Sequence, residues 1–198
     1  MSRSYSLRQP EHEVTSADVY IFSWGDLEDA DVVSHLCFQN QFLDFFRYVI
    51  DNLQSRPINS PNASPMPLKY ALRAGALKAY VQLAVSILEG ALAELAVKRD
   101  PEKRSKLHKL SFGALLQFWY EQSKELEPIR TELDLLNKYR NFVHLANAAA
   151  NDESYWKDII ENEASLLAAC DKAIKWVSDK CDGLHEYRQE TTTSLESA

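Results

Sequence analysis

From residue 68 to residue 98 the chain runs helix-long without a proline, and its apolar residues keep a helical period. Leu77, Tyr80, Val81, Ala84, Leu88, Ala91, Leu92 and Leu95 recur at steps of three and four, which aligns them as one wide apolar stripe. A helix with such a stripe is stable only when other elements cover it, so this segment constrains the fold more than any other. Gly75 and Gly90 lie inside it. Each costs roughly 1 kcal/mol against Ala in a helix, and both are read as marks of close approach by a neighbouring helix. Arg99-Asp100-Pro101-Glu102-Lys103-Arg104 ends the segment with charge and a proline.

The same period recurs on either side. Val33, Leu36, Cys37, Leu43, Phe46, Ile50 and Leu53 predict a helix from Asp31 onward, with Asp29 or Asp31 as its cap. Four prolines between Arg56 and Pro67 predict a loop after it. Beyond the long helix, Ser111 precedes a short helix that buries Leu115, Leu116 and Trp119. Glu127-Pro128 opens another, with proline suited to the first turn, and Ile129, Leu133, Leu136, Tyr139, Val143 and Ala146 continue its period. After a connection at 147–152, a final helix over 153–182 puts Trp156, Ile159, Leu166, Cys170, Ala173 and Val177 in phase, with Gly183 as its C-terminal cap.

Val19-Tyr20-Ile21-Phe22 reads as a short extended run, and residues 1 to 16 as loose. The fold expected is all-α, an antiparallel up-and-down helical bundle over residues 66–185. An N-terminal helical extension, residues 1–65, carries one helix and the proline-rich loop, and a disordered tail, 186–198, follows.

Composition narrows the functional classes. Hydrophobic residues make up 45% of 198, enough for a sizeable core. A net charge of −7 and a pI near 5.3 argue against a broad electrostatic footprint for nucleic acid. No run of about 18 consecutive apolar residues predicts a membrane span, and the start does not read as a signal peptide. Cys37, Cys170 and Cys181 are odd in number and form no CxxC or Cys/His cluster. They are read as free thiols in a reducing cytoplasm, with no metal or cofactor implied.

One short segment carries chemistry. Arg140 and His144 stand four apart on a predicted helix and share a face, with Asn141 beside them. A guanidinium grips phosphate through paired donors and stays charged at any working pH. A histidine titrates near neutrality and can take or give a proton within one cycle. That set suits cleavage of RNA without a metal, with Arg140 stabilising charge on the phosphate, His144 moving the proton and Asn141 orienting either. By spacing alone, such residues are more often an ordinary solvated or partner-paired helix face.

The segment Leu135-Leu136-Asn137-Lys138-Tyr139-Arg140-Asn141-Phe142-Val143-His144-Leu145 resembles the signature helix of the HEPN superfamily. So does the order of parts before it: a long apolar helix with Ser86-Ile87-Leu88-Glu89-Gly90-Ala91-Leu92, then a shorter one opened by Lys109-Leu110-Ser111-Phe112. The resemblance spans about residues 68 to 180. It implies a helical bundle that works as a homodimer, with Arg and His of both copies facing a shared cleft. It also implies metal-independent endoribonuclease activity on RNA in bacterial defence or toxin–antitoxin systems, where an antitoxin or other protein is a partner. A polar residue of the long helix, here Glu89, is implied near the site; by period alone Glu89 is a solvated position.

An alternative stays open: a non-catalytic HEPN-like module that binds a protein partner or a nucleotide ligand. It draws on the three residues between Arg140 and His144, where the active ribonuclease pattern commonly has four to six, and on the acidic balance.

The remaining candidates read as structural. His35 and His108 stand alone and suit surface or helix-end positions. Lys98, Arg99, Lys103, Arg104, Lys106 and Lys109 form one basic cluster, read as a solvated turn. Trp119 and Tyr120 read as core residues. Phe38, Phe42, Phe45 and Phe46 recur at helical steps and make a packing surface, or an interface with a second copy or a partner. Because residues 1 to 16 are polar and aperiodic, deleting them should leave helical circular dichroism intact; a collapse of that signal would refute the expectation.

Overall fold

The apolar stripe is realised as a 30-residue helix, Tyr70–Arg99, around which the other elements pack. The structure is a computed structural model that describes residues 3–8, 13–57, 64, 66–67, 70–141 and 154–181. In chain order it runs strand β1 (Arg3–Leu7), a 3-10 turn (Ala17–Tyr20), the single-turn α1 (Ile21–Trp24), α2 (Ala30–Asn52), β2 (Leu53–Pro57) and β3 (Met66–Pro67). The long helix Tyr70–Arg99 is α3, followed by the short α4 (Arg104–Leu107) and α5 (Phe112–Gln122). Then come α6 (Arg130–Asn141), α7 (Ser154–Glu161) and α8 (Glu163–Cys181). The fold is all-α, with one small sheet of order β1-β2-β3 beside it.

Side-chain contacts give the helix directions. Leu36 of α2 lies against Gly90 and the Ile50 carbonyl accepts from Arg73, so α2 and α3 are antiparallel. Glu89 meets Arg140 and Arg99 meets Glu125, so the chain through α6 also descends against α3. Arg73 pairs with Glu163, and Tyr80 donates to Asp171 at 3.4 Å, so α8 rises alongside α3. Between α3 and α5 the chain must return along α3, and α4 is that return. Ala74, Leu77, Ala84, Ile87, Leu88, Ala91, Leu92 and Ala96 are fully buried, so α3 is enclosed rather than laid on a surface. Burying each Leu or Ile contributes about 1.5–3 kcal/mol. α2 adds Leu36, Leu43 and Ile50 to the same core. Its buried Asn40 and Asn52 donate to the Leu36 and Tyr48 carbonyls at 2.8 and 3.0 Å, which satisfies both amides.

By length and composition α3 would also suit a membrane span, but 67% of that apolar window is buried inside the bundle. All three cysteines are free and buried. Burial, with Asp26 behind it, pushes the Cys181 thiol up to about 12, and burial raises the Cys170 thiol as well.

Several local expectations are corrected. Val19–Phe22 is helical, because a turn there seats Ala17 and Trp24 in the core while Val19, Ile21 and Phe22 stay exposed. Residues 3–7 pair with β2 in antiparallel register, Arg3 opposite Pro57 and Leu7 opposite Leu53. The proline-rich loop therefore begins as a strand, with Pro57 at its end, where a missing donor costs little. The final helix breaks at Asn162, whose side-chain amide donates to the Asp158 carbonyl at 2.8 Å and competes with the backbone ladder. Expectations on Gly183 and the tail lie outside the described residues.

Neither glycine of α3 marks a forced approach. A Cβ at Gly90 would touch Leu36 at an ordinary 3.6 Å, and one at Gly75 would meet nothing within 4 Å. Gly75→Ala should therefore raise stability by roughly 0.5–1 kcal/mol through helix propensity, read as a higher urea midpoint; a lower midpoint would show that this face of α3 is not open.

Candidate functional site

α6 buries Leu133, Leu136 and Tyr139 against the bundle, which sets Arg140, one residue on, at the flank of that face. Its Nη2 donates to both carboxylate oxygens of Glu89, at 3.2 and 3.0 Å, and its guanidinium carbon lies 6.0 Å from the centre of the Phe112 ring. Both partners are half-buried, so this pair is less screened than a surface one. Glu89 is thus an ion-paired residue rather than a solvated one. Asn141 closes α6, and His144 lies outside the described residues. Of the predicted trio, Arg140 is seen with its partner.

A second group beside it is not predicted from the sequence. Glu94 is only 2% exposed, and its Oε1 sits 2.6 Å from His108 Nε2. Arg104 Nη2 lies 3.3 Å from Glu94 Oε2 and donates at 2.8 Å to Asp29 Oδ2. Asp29 in turn caps α2, accepting from the amides of Asp31 at 3.1 Å and Val32 at 3.2 Å. The Val32 amide, with the Asp31 amide and Arg104 behind it, holds the Asp29 carboxyl below its ordinary pKa against desolvation. The stabilisation is present above the unfolded carboxyl's titration and is lost as pH falls through the lowered value. His108 ends α4, so its helix-end position agrees with the sequence; the carboxylate it meets does not emerge from periodicity. The signal was Glu94 itself, because a carboxylate within Gly90-Ala91-Leu92-Ala93-Glu94-Leu95-Ala96-Val97 is a charge on a core helix and needs a cation.

The two groups share a cleft of about 180 Å³. Val32 of α2 forms one wall, Glu89, Gly90 and Glu94 of α3 another, and Leu107 and His108 the third. The cleft therefore has Glu89, the partner of Arg140, on one wall and an imidazole held by a buried carboxylate on another. Chemically, a guanidinium can hold an oxyanion and an imidazole can accept or donate a proton. Among the described residues, no group of three or more His, Cys, Asp and Glu side chains converges as a metal-holding set.

The remaining sequence candidates are placed as follows. In the basic cluster Lys98 pairs with Asp26 at 2.6 Å, Arg99 with Glu125, and Lys103 with Asp100. Arg99 also lies over the Trp119 ring at 4.5 Å. These cations are largely answered by carboxylates. Trp119 is a core residue whose indole donates to the Leu92 carbonyl at 3.2 Å, and Tyr120 is half-buried with its hydroxyl on Asp134. His35 lies exposed on α2.

No family model matches the chain, nor does any curated protein or solved structure.

Removing the buried carboxylate should cost stability without unfolding the chain. Glu94→Ala is expected to lose roughly 2–3 kcal/mol in urea denaturation, below the usual range for breaking a buried pair, because Arg104 and His108 can reach water. Glu94→Gln, which keeps an acceptor, should lose less; equal losses in the two variants would contradict a hydrogen-bonding role.

Proposed function

We propose that this chain is a HEPN-like, metal-independent endoribonuclease of the cytoplasm, acting as a homodimer in bacterial defence or toxin–antitoxin systems. The observation that carries the reading is the Arg140–Glu89 pair, half-buried at the edge of the cleft. It joins the Arg of the Arg140-Asn141-Phe142-Val143-His144 segment to the polar residue of the long helix that the resemblance implies.

In this reading Arg140 holds the scissile phosphate and neutralises charge as the 2′-hydroxyl oxygen attacks phosphorus and the 5′-oxygen leaves. His144 takes the proton from the 2′-hydroxyl or supplies one to the leaving oxygen, and Asn141 orients the reacting groups. The atoms balance as a transesterification: one P–O bond forms, one breaks, and a 2′,3′-cyclic phosphate and a 5′-hydroxyl end result. A guanidinium has five N–H donors, and Glu89 engages one nitrogen, so phosphate and carboxylate can in principle share Arg140. An antitoxin or other protein partner would restrain the activity in the cell.

A second reading, a non-catalytic module binding a protein partner or nucleotide ligand, is favoured by one observation. Arg140 already has its charge answered by Glu89, in a chain of net charge −7.

The discriminating experiment is cleavage of end-labelled RNA in excess chelator by the wild type, Arg140→Ala and His144→Ala. Cutting should survive chelation and fall at least about 100-fold in each variant. No cutting by a wild type confirmed as a dimer would transfer the conclusion to the binding module.

A further inference from the structure

The negative charge of this protein is concentrated in one segment. Residues 9 to 46 contain eight acidic residues and not one Lys or Arg, which leaves the other 160 residues at a net +1. The same segment carries four exposed phenylalanines among the described residues. Phe38, Phe42 and Phe45 are 61%, 52% and 40% exposed at successive turns of α2, and Phe22 of α1 is 58% exposed. Phe42 stacks on Phe46 at 5.8 Å, which stiffens the stripe, and Phe46 in turn packs on Tyr80 of the core.

Between α1 and α2 lies a groove of about 430 Å³, lined by Ile21, Val33, Cys37 and Phe38. Its rim carries Asp18 and Glu28, both exposed. Val19 and Ile21 are also about half exposed, so the apolar residues this segment exposes sum to on the order of 600 Å². That total compares with the roughly 800 Å² each partner contributes to a standard interface.

We propose that this face is the docking site for a basic amphipathic helix of a partner protein. An apolar groove beside aromatic anchors at i, i+4 and i+7 accepts the apolar side of a helix, and the acidic rim pairs with Lys or Arg flanking that side. Charge decides the class of occupant. A second copy would bring an equally acidic segment against this one, and nucleic acid or an anionic membrane surface would be repelled by it. This inference does not rest on ribonuclease activity, and its test uses no RNA.

The probe is a fluorescent 18-residue helical peptide of Leu and Lys at amphipathic spacing, titrated into the full chain and followed by anisotropy, with the matching Leu/Glu peptide as counterpart. Phe22→Ser with Phe38→Ser removes apolar anchors, and Asp18→Asn with Glu28→Gln removes rim charge. All four positions are exposed, so thermal melts should match the wild type, and the charge pair keeps the test valid if the aromatic pair melts early. The Leu/Lys peptide should bind the wild type, weaken at least tenfold in either pair and weaken with added salt, while the Leu/Glu peptide should not bind. Binding to either variant pair as tight as to the wild type, or none to the wild type, would overturn the proposal. So would sedimentation showing that the aromatic pair converts a dimer into a monomer, since a second copy would then be the occupant.

Discussion

Glu89 and Glu94 are the only acidic side chains on α3, a helix otherwise enclosed by apolar neighbours, and enclosing it obliges both carboxylates to find cations. An isolated charge in that position would cost several kcal/mol. Each is answered from a different part of the chain: Glu89 by Arg140 at the end of α6, Glu94 by Arg104 and His108 on the returning segment. The same interactions that neutralise the core helix thus set where α4 lies and how α6 approaches. Through Asp29, Arg104 also links this network to the first turn of α2.

The site is a by-product of that neutralisation in a useful sense. An imidazole and two carboxylates line one cleft, and Arg140 pairs with one of those carboxylates, because the helix that carries them has to be covered. In the ribonuclease reading Arg140 would exchange part of its bond to Glu89 for phosphate, and the pair would hold the side chain in place until substrate arrives. The balance between those two anions is what separates a catalytic Arg140 from a purely structural one.

Charge is also divided along the chain. Nearly neutral beyond residue 46, the bundle answers cations of its own, as Arg99 by Glu125 and Lys172 by Glu132. The Lys172 ammonium beside Glu132 holds that carboxyl below its ordinary pKa. The acidic excess lies between residues 9 and 46, where Asp26 and Asp29 answer Lys98 and Arg104 while Asp18 and Glu28 stay exposed beside the groove.

Periodicity and punctuation in the sequence by themselves determined α2, α3 and α6. Leu77 to Leu95 in phase, the Asp100-Pro101 stop, the Asp29 cap and the Pro128 start are local signals, and each corresponds to an observed element. Tertiary structure decided what local signals cannot carry. Val19–Phe22 reads as extended by residue type, yet it turns helical because Trp24 has a core to enter. Residues 3–7 became a strand because β2 supplied a partner some 50 residues away, and backbone pairing leaves no periodic trace in so short a run. For the site, the place of Arg140 near the end of α6 was legible from the helical period. The partnership of Glu94 with His108 and Arg104 was not, because the energy that pairs a buried carboxylate with a cation depends on distance in space, which sequence separation does not encode.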